Sequence, residues 1–361
     1  MSIYHAALAA WPKITYQRSQ KLFKYFPNFN NLWEAEWGEL SKAGLEDELA
    51  QEFITWREQN PPEKLAVILD KEKITTVALG EPGYPRLLAE IADPPFSLFI
   101  RGELELCSQP ALGVVGTRKF TSYGQRACEE ITSRLAAQGM VIISGLALGI
   151  DGIAHQATLN VGGKTVAVLG AGINRASVYP ASHQSLAEKI LSQGGSLVTE
   201  YPPGFAPTQY SFPARNRIIA GLTLGTLVIE APESSGALIT AKCALDYNRE
   251  VFAVPHPITS PSGVGNNSLL KMGAHLVTAD TDIIDALNLK NLKTIVDNRK
   301  ILPSSPTEEA ILNCLSREPK HVDLIFKESG LSGPTASSAL TLMEMKGLIR
   351  NVGGMNYLLS R

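Results

Sequence analysis

Small residues follow an apolar run in the segment VIISGLALGIDGIAH, residues 141–155. Glycines let backbone N–H groups approach an anion closely, and a helix that starts just after them adds a favourable dipole. The segment therefore predicts a turn that binds a phosphate. The residues of this turn are Ser144, Gly145, Leu146, Ala147 and Gly149.

Other apolar runs of the chain also end in glycine or in a small polar residue. In a sheet of parallel strands, ligands bind beyond the carboxyl ends of the strands. Several such turns along one sheet edge favour an extended anion-binding rim. Its further members are Gly116, Thr117 and Arg118 after the first run, Gly170 and Gly172 after the third, and Ser235 and Gly236 before a later helix.

Asp151 and His155 are four residues apart, a spacing that places two residues on one face of a helix. They could form an acid–base pair, and the protein would then be an enzyme. A carboxylate beside a bound phosphate would repel it, unless the carboxylate turns inward and accepts N–H bonds from the glycine turn. We favour this second interpretation, in which the two residues orient the loop and no residue is catalytic.

The stretch SFPARNRIIAGL leads from an apolar run into a helix. Arg215 and Arg217 flank Asn216 at the expected helix start, and guanidinium groups fit phosphate oxygens. We expect one of the two arginines to bind the ligand. The other is expected to pair with a carboxylate such as Glu200 or Glu230.

Aromatic residues accompany these arginines in the expected strand-end loops. Phe212 belongs to the same stretch, and Tyr179, Tyr201 and Tyr210 precede it. Aromatic rings beside phosphate contacts are typical of single-stranded nucleic-acid sites, where bases stack on them. The alternative is that these rings belong to the core.

Signatures of nucleotide cofactors and metals are absent. A nicotinamide or flavin site needs GxGxxG after the first strand and an acidic residue at the end of the second, but this chain has GTR and Ser144 there. The GGKT at residues 162–165 resembles the end of a Walker A loop, yet Thr158 stands where that loop needs glycine, and the motif precedes a strand. No HExxH occurs, and the histidines lack ligand spacing. Neither a cofactor nor a metal is expected.

Bulk properties exclude several classes of protein. The 361-residue chain has a formal net charge of −2, so any site for an anion must be local. It shows neither a secretory leader nor an apolar run long enough for a membrane span. The scattered cysteines, without a CxxC pair, indicate buried reduced thiols in a cytoplasmic protein. They are Cys107, Cys128, Cys243 and Cys314.

Three segments differ in their periodicity. Residues 1–72 have helical spacing and predict a small helical (SAM-like) domain. In residues 73–290, Val/Ile/Leu runs alternate with helix-length segments, which predicts an α/β fold with an extended Rossmann-like parallel sheet; residues 97–102 would add an edge strand. Residues 291–305 have the composition of a linker. Residues 306–361 follow the order of a winged helix.

These motifs, in this order and spacing, resemble the DNA-processing protein A family (DprA, also called Smf). Blocks such as GVVGTRKFTSYG, SGLALGID and FPARNRIIAGL carry the resemblance, which covers residues 82–285. It implies a bacterial cytosolic protein that binds single-stranded DNA without catalysis. Members help load a RecA-type recombinase onto DNA taken up in natural transformation. The alternative is a nucleotide or nucleoside-monophosphate hydrolase on a related core, but its PGGxGTxxE signature is missing.

The resemblance also implies roles for individual residues. Arg118 would bind DNA, together with backbone groups of the glycine loops that begin at Gly116 and Ser144. Some members carry a lysine where this chain has Ala181, and Arg175 in the preceding loop could supply that charge. Members form homodimers through the end of the core, although a plain core-facing helix and strand is the alternative there. The corresponding residues are Leu269, Leu270, Met272 and Leu276.

Overall fold

The computed structural model describes residues 3–289, 305–316, 319–345 and 349–359. The chain forms two compact units, Met1–Leu289 and Lys290–Arg361, and each is described by itself. The expected linker, residues 291–305, lies outside the described residues except for Ser305.

Short helices form the start of the first unit, as the sequence predicts. Thr15 and Asn28 begin two of them, where their side chains accept backbone N–H bonds from Arg18 and Asn31. Buried aromatic rings hold the helices together, among them Trp11 and Phe53 with 5.0 Å between ring centroids. The helices are α1 Ile3–Ala9, α2 Tyr16–Tyr25, α3 Phe29–Glu34, α4 Trp37–Lys42, α5 Asp47–Gln59 and α6 Pro62–Lys71.

A nine-stranded, mostly parallel sheet forms the core of the first unit. The predicted apolar runs are its strands, because a run without polar alternation can be buried on both faces. The strands are β1 Thr75–Ala78, β2 Ser97–Gly102, β3 Ala111–Val115, β4 Val141–Ser144, β5 Thr165–Val168, β6 Ser196–Thr199, β7 Gly225–Val228, β8 Glu250–Ala253 and β9 His275–Leu276.

The strand order is β1-β2-β6-β5-β4-β3-β7-β8-β9. The expectation of an edge strand at residues 97–102 is wrong, because β2 pairs antiparallel with both β1 and β6. The outer strand β1 was missed: its sequence, TTVA, begins with two threonines and has only a short apolar part. From β3 the chain builds β4, β5 and β6 on one side and then crosses to β7 on the other. The β3–β7 boundary is therefore the switch point, where such sheets bind ligands.

Helices cover both faces of the sheet. Phe99, Ala167 and Leu197 point to one face and share a core with α10 and the leader helices α1 to α6. Their neighbours Ile100 and Val166 point to the other face, which α7, α11 and α12 cover. The helices are α7 Arg86–Ala89, α8 Ser122–Ala137, α9 Ile150–Asn160, α10 Gln184–Ser192, α11 Ser211–Gly221, α12 Gly236–Asp246, α13 Val264–Lys271 and α14 Asp280–Ala286.

The second unit has the element order of a winged helix. A short strand that the sequence does not reveal precedes its second helix. Ala336, Leu340 and Met343 are buried and form the inner face of the third helix. The elements are α15 Pro306–Cys314, β10 Lys320–His321, α16 Val322–Ser329, α17 Gly333–Met345, β11 Ile349–Asn351 and β12 Asn356–Leu359, with β12 between the other two strands.

The cysteines are free thiols, and two of the four lie deep in the core. Burial raises the pKa of Cys107 and of Cys128 to about 12. Cys243 and Cys314 are only half-buried, which departs from the expectation. Within the described ranges, no helix is long and apolar enough to cross a membrane. The same ranges contain no cluster of His, Cys, Asp and Glu that could hold a metal ion.

Candidate nucleic-acid interface

A cleft of about 630 Å³ opens at the carboxyl ends of β3 and β7. The Gly116 turn forms one wall, and the starts of α11 and α12 form the other. Much of the predicted rim therefore comes together at the switch point of the sheet. The predicted residues that line the cleft are Gly116, Thr117, Arg118, Ala147, Asp151, Phe212, Arg215, Asn216, Ser235 and Gly236.

Arg118 is exposed and lines this cleft. Its guanidinium carbon lies 5.7 Å from the centroid of the Phe212 ring, a cation–π distance. In the part of the chain that the structure describes, no carboxylate forms an ion pair with it. A phosphate oxygen would therefore not have to displace a protein partner.

Side chains hold the loop between β4 and α9 by hydrogen bonds to the backbone of the loop. The N–H of Gly145 donates to the Asp151 carboxylate at 3.1 Å, and the carbonyl of Leu146 accepts a 2.9 Å bond from Nδ1 of His183. The Ser144 hydroxyl is buried and donates to the Val114 carbonyl at 2.6 Å. Of the predicted contacts in this loop, the N–H of Gly145 and the Ser144 hydroxyl are thus already used inside the protein.

Asp151 lies under this loop with its carboxylate buried. Burial raises the pKa of Asp151, while the charge of Arg215 and the N–H groups of Ala147 and Gly145 act to lower it. A carboxylate that accepts these bonds holds the loop in one shape. This is the geometry that loop orientation requires.

His155 does not contact the glycine loop, so its assignment as a loop-orienting residue is wrong. Its Nδ1 lies 2.7 Å from the hydroxyl of Thr165 on β5. Since that hydroxyl donates to the Ile142 carbonyl, the ring donates its Nδ1 proton. Burial lowers the pKa of His155 to about 3, and no hydrogen bond joins it to Asp151 in the described chain.

Arg215 and Arg217 both have partners within the protein. Arg215 is buried, and its guanidinium donates to the carbonyls of Gly145 and Val168. Arg217 pairs with Glu200 at 2.5 Å, as one of the two arginines was expected to do. It does not line the cleft, because residues two apart on a helix point in roughly opposite directions. Arg217 is therefore removed from the candidate DNA contacts.

Gly149 stands at the closest approach of the two loops. Its φ is +83°, and a Cβ there would lie 2.3 Å from the carbonyl oxygen of Thr117. The N–H of Ile150 donates to that carbonyl at 3.2 Å. Only glycine fits, because both the backbone conformation and the space exclude a side chain. The turn after β3 and the start of α9 are thus locked together.

Phe212 and Tyr179 border a smaller pocket beside the cleft, with 5.6 Å between ring centroids. Gly145 and Gly170 line this pocket as well. Phe212 is half-buried and Tyr179 is exposed, so neither ring belongs fully to the core. Both remain accessible to a base.

Two further predicted contacts lie outside the cleft. Gly172 packs under a loop, where its N–H donates to the Phe205 carbonyl at 2.9 Å. Arg175 is exposed beside the leader helices, and its N–H donates to Glu72 at 3.3 Å. Both residues lie in a strand-end loop that turns away from the sheet edge, and the sequence does not reveal this turn. Arg175 therefore does not contribute its charge to this cleft.

Lys119 was missed from the sequence, and Glu230, named there as a possible partner of an arginine, has a different role. Lys119 lines the cleft beside Arg118, and its position next to the GTR turn could have indicated it. Glu230 is buried; its carboxylate accepts the N–H of Thr121, and its carbonyl accepts the N–H of Thr117. The sequence signal for the role of Glu230 was its position as a lone acidic residue at the end of an apolar run.

The segment expected to form a dimer interface is only partly exposed. Leu269 packs in the core of its own chain, so its assignment to the interface is wrong. Leu270 is half-buried. Met272 and Leu276 are exposed at 72% and 54%, at the outer edge of the sheet. These two side chains are available to a partner.

Comparison with known proteins agrees with this organisation. The family model of DNA recombination-mediator protein A matches residues 75–288, and the model of the DprA winged helix domain matches residues 297–355. Protein Smf of Escherichia coli (strain K12) is 38% identical over 322 residues, which are 87% of this chain and 85% of that protein.

Two solved structures are similar as well. DprA from Streptococcus pneumoniae is 34% identical, with a TM-score of 0.66 over 79% of this chain and 98% of that chain. DprA from Helicobacter pylori, described for its single-stranded DNA binding mode, is 29% identical, with a TM-score of 0.54 over 60% and 96%. Since models of one family match both the sheet core and the winged helix, the chain belongs to the DNA recombination-mediator protein A family, whose members are also named DprA and Smf.

Proposed function

We propose that this protein binds single-stranded DNA in the cleft around Arg118 without catalysing a reaction on it. We further propose that it acts as a homodimer in the bacterial cytoplasm. There it helps load a RecA-type recombinase onto DNA taken up in natural transformation. Family membership supports this proposal, together with the single-stranded DNA binding mode of the Helicobacter pylori relative.

One observation carries the DNA-binding part. Arg118 is exposed, has no carboxylate partner among the described residues, and lies over the ring of Phe212. A guanidinium supplies the charge for a phosphate, and an aromatic ring supplies a surface on which a base can stack. The two requirements of single-stranded nucleic acid thus meet at one point of the sheet edge.

Asp151 and His155 are both buried and bonded within the protein, which supports a binding role over hydrolysis. A general base must be able to reach the proton that it abstracts. Asp151 instead accepts N–H groups of its own loop, and His155 is buried against β5. A hydrolase on this core would need a different base.

A titration tests the proposal directly. Labelled single-stranded and duplex DNA of equal length are bound to the protein at two salt concentrations, and anisotropy is measured. We expect preference for the single strand and weaker binding at higher salt, because phosphate contacts release counterions. Equal affinity for duplex, or no binding, would overturn it. For the recombinase step, faster filament assembly on DNA carrying this protein is the expected result, and an unchanged rate contradicts loading.

A further inference from the structure

A second groove, of about 420 Å³, lies on the other side of Gly149 from the cleft. Its volume is in the range of ligand pockets, about 300–1,000 Å³. Residues of α8 and α9 line it together with His183 and Leu186, and Phe120 also borders it. Phe120 is two residues from Arg118, and two residues of chain span at most about 7 Å. A DNA strand held at Arg118 would therefore have this groove within reach.

Two parallel side-chain pairs line the groove. On α8, Gln125 donates to Glu129 at 2.8 Å, and on α9, Gln156 donates to Asn160 at 2.6 Å. Each pair is one helical turn long and uses only part of the hydrogen-bonding capacity of its members. The second carboxylate oxygen of Glu129 has no hydrogen bond to any residue that the structure describes. We call this surface the amide groove.

The chemistry of the amide groove does not suit a phosphate. Among the described residues that line it there is no lysine or arginine, the Nδ1 of His183 is bonded to the Leu146 carbonyl, and Glu129 would repel an anion. Phe120 is 41% exposed, and its ring offers a face for stacking. Amides pair with the edges of bases, and aromatic rings stack on their faces. A nucleobase therefore fits where its phosphate does not.

The carboxylate makes the groove selective. Amides both donate and accept, so they pair with any base edge, but an ionised carboxylate only accepts. Cytosine, adenine and guanine carry an exocyclic amino group that can donate to it, whereas thymine presents a carbonyl oxygen at the corresponding position.

We propose that the amide groove holds a base of the bound DNA strand next to the phosphate at Arg118 and prefers bases with an exocyclic amino group. The inference rests on the proposed single-stranded DNA binding and adds a base preference to it. Its members with named roles are Phe120 for stacking and Glu129 for discrimination, with Gln125, Gln156 and Asn160 as the amide wall.

Competition between oligodeoxycytidylate and oligodeoxythymidylate of equal length tests this. The two pyrimidines have the same ring size and differ at the group that Glu129 would contact. At slightly alkaline pH, where cytosine is unprotonated, we expect the full-length protein to prefer cytosine about fivefold. The Glu129→Gln variant should lose most of this preference while keeping its affinity for oligodeoxythymidylate.

Glu130→Gln is the matched control, because it makes the same change one residue along the same helix. Glu130 pairs with Arg134 at 2.7 Å and lines a different groove. Its variant should keep the cytosine preference. Equal binding of the two oligonucleotides by the unaltered protein overturns the inference, as does an equal loss in both variants. In each case intact binding of oligodeoxythymidylate leaves the proposed function standing, whereas failure to bind either oligonucleotide refutes both.

Discussion

The guanidinium carbon of Arg118 lies 5.7 Å from the ring centroid of Phe212, at the opening of the cleft. The pair places a cation and a stacking surface side by side. The Arg118→Ala variant should therefore bind single-stranded DNA about tenfold more weakly, because a charge-assisted bond to phosphate contributes roughly 1.5–3 kcal/mol. Anisotropy titration measures the loss.

The salt dependence identifies the lost contact as a phosphate. Losing one phosphate contact on a single strand reduces the log–log salt slope by about 0.7. Thermal unfolding should stay unchanged, since the side chain is exposed. Arg126→Ala removes another exposed arginine that lines a different groove and serves as the control. An Arg118→Ala protein with unchanged affinity and slope would contradict the proposed site.

Replacing glycine with alanine should have different effects on stability at Gly149 and at Gly236. At Gly149 an added Cβ meets the Thr117 carbonyl at 2.3 Å in a backbone with φ +83°, while at Gly236 nothing lies within 4 Å. Gly149→Ala should lower the free energy of unfolding by roughly 1–3 kcal/mol and weaken DNA binding. Gly236→Ala should leave stability nearly unchanged. Denaturant unfolding compares the two, and equal stability of both variants would contradict this account of the loop contact.

His155 should make the protein sensitive to acid. Because burial lowers its pKa to about 3 from 6.5, the unfolded chain binds a proton that the folded chain excludes. The contribution of neutral His155 to the free energy of unfolding is therefore complete above pH 6.5. It is lost as the pH falls toward 3, by up to about 1.4 kcal/mol per pH unit.

The His155→Asn variant lacks this titration, although it is less stable at neutral pH. Urea unfolding between pH 7 and pH 4 should give a flatter dependence for the variant than for the original protein. Parallel pH curves for the two proteins would refute the assignment of a buried neutral imidazole.

The proposed homodimer should depend on the exposed sheet edge. Met272→Arg places a charge where the unaltered side chain is 72% exposed, so the chain should stay folded and sediment as a monomer at micromolar concentration. Val67→Arg, at a side chain 69% exposed on α6, is the matched control and should stay dimeric. Leu269→Arg should unfold the chain instead, because it buries an unpaired charge. A dimeric Met272→Arg protein would relocate the interface.

The winged helix should contribute little to single-stranded DNA affinity. Helix α17 carries no lysine or arginine between Gly333 and Met345, whereas a helix that reads a DNA groove needs basic or amide side chains. Removing residues 304–361 should change affinity less than about threefold, under one kcal/mol. A tenfold loss, in a truncated chain whose circular dichroism remains that of a folded protein, would show that the domain does bind DNA.

Most strand ends could be predicted from the sequence because a local pattern marks them: an apolar run that several times ends in glycine or a small polar residue. The direction of a side chain is not local. Arg215 and Arg217 sit in one motif, yet two helix positions separate their directions by about 200°. Which of them faces the ligand depends on where the helix meets the sheet.

The wrong predictions for Leu269 and Arg175 have the same cause, because the positions of both residues depend on contacts distant in the sequence. An apolar helix near a sheet edge has the same sequence pattern whether it packs against its own core or against a second subunit. The burial of Leu269 therefore follows only from the tertiary contacts. Arg175 lies in a loop that contacts the leader, where its N–H donates to Glu72. That contact joins residues more than a hundred positions apart, and no local pattern encodes it.

The leader helices and one face of the sheet share a single core, and the His5 ring lies 2.9 Å from the Thr76 hydroxyl on the outermost strand. Residues 3–289 should therefore melt in one cooperative transition. A chain cut before residue 73 would expose Phe99 and Leu197 to water and would be prone to aggregate. Loss of recombinase loading in such a deletion would consequently report a damaged fold, and point substitutions on the leader surface are the informative way to map its partners.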